Sequence, residues 1–132
     1  MPYTAVVLKE ESRQELINAL TLDKAVPADW VIKAHHMTCD MKSASKSLAA
    51  EFIGQEVELE VMALGAMMTE PGVGIFAVQV ACSVPSKNAI KHVTLAHHTA
   101  IKPVKSNDIT TWLPRREDDP KIVLKGVVQE VA

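Results

Sequence analysis

From residue 56 to residue 61 the chain alternates without a slip: Glu56, Glu58 and Glu60 interleave with Val57, Leu59 and Val61. A period of two gives a strand one wet face and one buried face. Antiparallel sheet is the usual way to solvate a single face. Strand character also marks the β-branched run 3–9, the runs 30–41 and 90–98, the stretch 73–82 with apolar residues on both faces, and a closing run at 122–131. Between the first two strands, Ser12 and Glu15 have capping-box spacing, and Leu16, Ile17 and Leu20 follow at helical spacing. Ala44, Leu48 and Phe52 at i, i+4 and i+8 predict a second helix over 43–53, stopped at Gly54. Glu70-Pro71-Gly72 marks a turn between strands, and the acidic, proline-punctuated stretch 114–120 an excursion. The order β-α-β-α-β-β-β-loop-β describes one α+β domain over 1–132, long enough to bury a core.

Composition narrows what such a domain can grip. With 14 basic and 16 acidic residues the net charge is −2, which is not the basic surface that long duplex nucleic acid requires. Aromatics at 4% do not supply a base-stacking platform. A small nucleotide or the end of an RNA strand fits this balance better. The two cysteines, Cys39 and Cys82, imply no disulfide framework. Residues 1–10 lack a signal peptide's basic region and long apolar run, and no stretch approaches the ~20 apolar residues of a membrane span. The expectation is a soluble, cytoplasmic protein.

Two triplets carry the chemistry: His36-Met37-Thr38 and His92-Val93-Thr94, with the histidines 56 residues apart. On a strand, residues i and i+2 share a face. Each triplet therefore presents an imidazole and a hydroxyl together, while Met37 or Val93 turns away. Histidine titrates nearest neutrality, so one ring can take a proton from water while the other gives one to a leaving oxygen. Threonine hydroxyls can donate to the charge that develops on phosphorus oxygens. Strand alternation assigns Trp30, Ile32, Ala34, His36, Thr38 and Asp40 to one face. It places His35 on the opposite, core side with Met37, Cys39 and Met41. In the later run it groups Ile90, His92, Thr94, Ala96 and His98.

At these residues the chain resembles the 2H phosphoesterase superfamily, which is defined by paired His-x-Thr/Ser motifs on strands lining a central cleft. The string His92-Val93-Thr94-Leu95-Ala96-His97 is also similar to the second motif of the cyclic phosphodiesterase module of plant and fungal tRNA ligases. The resemblance implies a compact, bilobal, pseudo-symmetric fold, with two antiparallel sheets flanking the cleft and two main helices. It implies metal-independent hydrolysis of a cyclic nucleotide phosphate, such as the 2′,3′-cyclic phosphate of a nucleotide or RNA end. In that scheme His36 and His92 are the acid–base pair, Thr38 and Thr94 hold the phosphate, and no cofactor is needed. Alternatives on the same residues are cleavage of a cyclic dinucleotide or a 2′-5′ oligonucleotide signal, as in some phage members, or a catalytically silent nucleotide- or RNA-end-binding module. An interaction protein with structural histidines is the third class.

Candidate substrate contacts are His98, on the face assigned to His92, and Lys105, Ser106 and Trp112 in the polar stretch beyond. Lys33, Lys91, Lys102 and Lys105 flank the motifs and either attract phosphate or are solvated surface lysines. Ser106-Asn107-Asp108 also reads as a turn. Met62, Met67 and Met68 read as core filling. A zinc site is the rival chemistry, since His35, His36, Cys39, Cys82, His92, His97 and His98 are ligand types. No CxxC or HExxH spacing exists, however, and adjacent His35 and His36 are expected to point apart, so no metal is assigned.

Overall fold

The computed structural model describes residues 2–132; Met1, the first residue of the expected domain, lies outside them. The fold is α+β and mostly antiparallel sheet. Strand β1 (Tyr3–Leu8) leads into helix α1 (Glu10–Ala19) and a single turn α2 (Leu22–Ala25). Strands β2 (Trp30–Ile32) and β3 (His36–Asp40) follow, then two 3₁₀ turns, Ala44–Lys46 and Ala50–Phe52. The long strand β4 (Glu56–Glu70) turns at Pro71-Gly72 into β5 (Val73–Ala81), and Gly72 takes the left-handed φ of +78° that this turn requires. Strand β6 (His92–His98), a 3₁₀ helix (Pro103–Asp108), β7 (Thr111–Pro114) and β8 (Val123–Val131) complete the chain. Among the described residues no helix is long and apolar enough to cross a membrane.

The strands form one sheet rather than two. Antiparallel pairings run β1–β3, β3–β6, β6–β5, β5–β4, β4–β8 and β8–β1, so the sheet returns on itself as a closed ring. Strand β2 extends the β3 edge along β6, and β7 extends the β8 edge along β4. Closure leaves few exposed strand edges. The ring's interior holds the main core, including Val6, Met37, Cys39, Leu59, Val78, Val93, Leu95, Leu124 and Val128. Leu16 and Ile17 of α1 are buried in the same cluster. A second, smaller cluster of Ile75, Ala77 and Ile109 lies apart from it.

Several local expectations are corrected. Helix α1 begins at Glu10, so Ser12 lies inside its first turn and forms no capping box. Its buried hydroxyl instead accepts from Lys125 N (2.8 Å), stitching α1 to β8. The second helix does not form. Serines compete for local backbone groups: Ser47 Oγ accepts from Ala49 N (3.0 Å), while Asp40 Oδ2 accepts from Leu48 N (3.0 Å). These bonds hold short 3₁₀ turns in place of a continuous helix. Met62 and Met68 are exposed on β4, and only Met67 packs against the small cluster, so the methionine run does not fill the core.

Candidate active site

The two triplets meet at their centres. Met37 of β3 pairs with Val93 of β6, and both side chains are fully buried in the core. The flanking His36, Thr38, His92 and Thr94 therefore project to the other face of the sheet. Antiparallel register sets His36 beside Thr94 and Thr38 beside His92, making the two imidazoles diagonal neighbours on adjacent strands. All four line one cavity of about 870 Å³, a volume suited to a nucleotide-sized ligand. The histidines thus belong to adjacent strands of one sheet, where the expectation was two sheets across a cleft.

On the β3 side, the chain flips its faces before the motif. Trp30, Ile32 and Ala34 belong to the core, but so do Met37 and Cys39, so the inward parity changes between 34 and 37. Ala34 makes the switch with a φ of +46°, a strained conformation for a residue with a Cβ. Its N–H donates to Thr94 O (3.0 Å), tying the kink to the second motif. As a result His35 is exposed and lines the cavity with His36, instead of facing the core. Their Nδ1 atoms lie 2.9 Å apart, so one ring donates and the other accepts. The Tyr3 hydroxyl stands 3.5 Å from His36 Nε2. Burial, followed by the fields of His35, Lys33 and His92, pushes the His36 pKa down to about 4. His36 is accordingly a neutral ring, and a proton acceptor, at neutral pH.

The β6 side is tethered more tightly. His92 is 7% exposed; its Nδ1 donates to Ile90 O (2.7 Å), which turns Nε2 to Ser106 Oγ at 2.9 Å. Thr94 Oγ1 donates to the same Ser106 oxygen at 2.9 Å. Beyond Thr94 the strand is bulged: Ala77 pairs with Thr94 but Phe76 with Ala96, leaving Leu95 as the extra residue. Leu95 and Ala96 both enter the core, and the outer face resumes at His97, opposite Ile75. The bulge takes His98 off the His92 face. His98 pairs with Asp29 (Nε2–Oδ2 3.1 Å) and does not line the cavity.

Of the other candidate contacts, Ser106 lines the cavity, whereas Lys105 and Trp112 do not. Lys105 is exposed beside Asp108 at 3.7 Å. Trp112 Nε1 donates to Ile109 O (3.3 Å), and its ring covers Gly65, where a Cβ would strike it. Lys33 lines the cavity, while Lys91 Nζ donates to Cys82 O (2.6 Å). Sequence reasoning did not find Tyr3, His35 or Arg13 at this site. Arg13 lies on α1, and its Nε donates to Lys33 O (3.0 Å), which places a guanidinium and an ammonium on the rim. Burial raises the Cys39 thiol to about 11, so it stays protonated and a poor nucleophile. Among the described residues, no three His, Cys, Asp or Glu side chains gather as a metal ion would need. Comparison of the chain with family models, with curated proteins and with solved structures finds no match.

Proposed function

We propose that this protein is a metal-independent phosphodiesterase that opens a cyclic nucleotide phosphate, with a 2′,3′-cyclic phosphate as substrate, on a 2H-phosphoesterase-like pseudo-symmetric arrangement. The observation that carries the reading is the pairing of Met37 with Val93. It sets two identical His-x-Thr units head to tail on one face, each imidazole beside the other unit's hydroxyl. The local two-fold relation between the triplets is what we read as pseudo-symmetry. A phosphate over this quartet meets two proton-transfer groups on a diagonal and two hydroxyls on the other.

The environments divide the labour. His36, neutral at pH 7, accepts the proton of an attacking water at Nε2, with its Nδ1–H donated to His35 Nδ1. His92 keeps its Nδ1–H on Ile90 O and gives the proton on Nε2 to the leaving ribose oxygen. One P–O bond forms to water as one P–O ester bond breaks, and the product is a phosphomonoester. Thr38 and Thr94 donate to the non-bridging oxygens. An anion bound over His36 raises its pKa towards the working range, since opposite charge favours the protonated ring. Arg13 and Lys33 at the rim draw the anionic substrate inward.

The test is turnover of 2′,3′-cyclic nucleotides, cyclic dinucleotides and 2′-5′ oligonucleotides, with chelator present and products resolved by chromatography. The expected result is hydrolysis of the 2′,3′-cyclic substrate, insensitive to chelator, with a bell-shaped pH dependence. Activity lost to chelator and restored by zinc would overturn the reading.

A further inference from the structure

Ser106 is 3% exposed, yet its hydroxyl reaches both working atoms of the second motif. Its Oγ is 2.9 Å from His92 Nε2 and 2.9 Å from Thr94 Oγ1. A third contact, 2.9 Å to Pro103 O, takes its proton. A hydroxyl has one proton and two lone pairs. With the proton on Pro103 O, the oxygen can accept from Thr94 and from a charged His92, and its capacity is then filled. These are the two donors that a bound phosphate would take up, the acid through its ester oxygen and the hydroxyl through a non-bridging one. Among the described residues no single oxygen bridges His36 and Thr38 in this way; the Tyr3 hydroxyl stands 3.5 Å from His36 Nε2 and His35 at its Nδ1.

We propose that Ser106 is an internal competitor for substrate, its hydroxyl standing where the substrate's phosphate oxygens would meet His92 and Thr94 and withdrawing when substrate takes that place. The inference rests on the phosphodiesterase reading for the identity of the ligand, but the contest for His92 and Thr94 is a property of the hydroxyl itself. Withdrawal needs only a χ1 rotation between staggered wells. The backbone of the Pro103–Asp108 helix stays pinned next to Ile109, which is buried in the small cluster with Ile75 and Ala77. Ser106 therefore sets how tightly the second half-site holds an anion, and a substrate must replace the two hydrogen bonds it displaces.

The experiment uses the full chain with Ser106→Ala, and Ser106→Cys as a variant that keeps a side-chain group of similar reach but weak hydrogen bonding. Inorganic phosphate is titrated while the His92 imidazole resonances are followed by NMR, and KM and kcat are measured on a 2′,3′-cyclic nucleotide. Removing the competitor should tighten phosphate binding by about 3- to 10-fold, the effect of one or two net hydrogen bonds. The same gain should appear in KM rather than in kcat, with the cysteine variant between alanine and wild type. Phosphate affinity that is equal or weaker in Ser106→Ala overturns the proposal, as does a fall in kcat at constant KM. Failure of the two readings is separable. Tighter phosphate binding without turnover in any form keeps the competitor and removes the phosphodiesterase; turnover that requires His36 and His92, with phosphate affinity unmoved, does the reverse.

Discussion

The two His-x-Thr units share a sequence but not a setting. His36 rests against another imidazole and a phenol and is depressed to about 4. His92 is held at both nitrogens, by the Ile90 carbonyl and by Ser106. Burial first, and then the neighbouring imidazole, discourage His36 from charging, whereas a ring donating to a carbonyl has its tautomer fixed. The same triplet can thus serve as base at one place and acid at the other. In the proposed mechanism, what separates the roles is the second layer of contacts, which no triplet encodes.

The largest expected effect breaks the site outright. His36→Ala and His92→Ala should each lower turnover by roughly 10²- to 10⁴-fold. The pH–rate profile should then distinguish them, with the acidic limb lost in the first and the basic limb in the second. Identical profiles for both would erase the division of roles. The double variant should be little worse than either single one, since the pair acts as a unit.

Next in size is the core beneath each motif. Leu95→Ala, on the β6 bulge and fully buried, should destabilise by about 2–5 kcal/mol in urea titration. Cys39→Ala on β3 removes only a sulfur and should cost about 1 kcal/mol. Equal losses would mean that the bulge does not direct Leu95 inward.

Stability against pH sharpens the contrast further. An unfolded chain protonates His36 near the ordinary value of about 6.5, whereas the folded chain does so only near 4. The unfolded state binds more protons between these values. The contribution is therefore fully present above about pH 6.5 and is lost as pH falls through 4. About 2 kcal/mol should disappear over that window, after screening by the solvent the ring meets. Denaturation midpoints of His36→Ala should show a correspondingly flatter pH dependence than wild type.

The smallest effect is at the kink. Ala34→Gly relieves a left-handed alanine but deletes a fully buried methyl, so its stability should stay within about 1 kcal/mol of wild type by thermal unfolding. A loss beyond that would show that the kink carries no strain.

Much of this was legible in the chain and the remainder has physical reasons. The triplets, the strands holding them and the Pro71-Gly72 turn follow from periodicity and turn chemistry. The same periodicity failed wherever one residue changed its parity. The Ala34 kink and the Leu95 bulge each reverse the faces downstream, which brought His35 into the cavity and took His98 away. Neither position carries a glycine or proline to announce it. The missing second helix had a visible cause in Ser47, whose hydroxyl takes Ala49 N, and in Asp40, whose carboxylate takes Leu48 N; these bonds outweighed the spacing of Ala44, Leu48 and Phe52. Ring closure and the approach of α1 to the rim depend on contacts far apart in sequence and leave no local trace.

The junction of β3 with β6 is paired at a single position, Met37 with Val93, while β5 and β6 are paired along most of their length. The kink beside that pair adds two more bonds to β6, from Ala34 N to Thr94 O (3.0 Å) and from Lys33 N to Leu95 O (2.7 Å). Register at this seam therefore rests on very few positions. A slip of one residue would turn the two imidazoles and two hydroxyls into the core and bring Met37 and Val93 out of it.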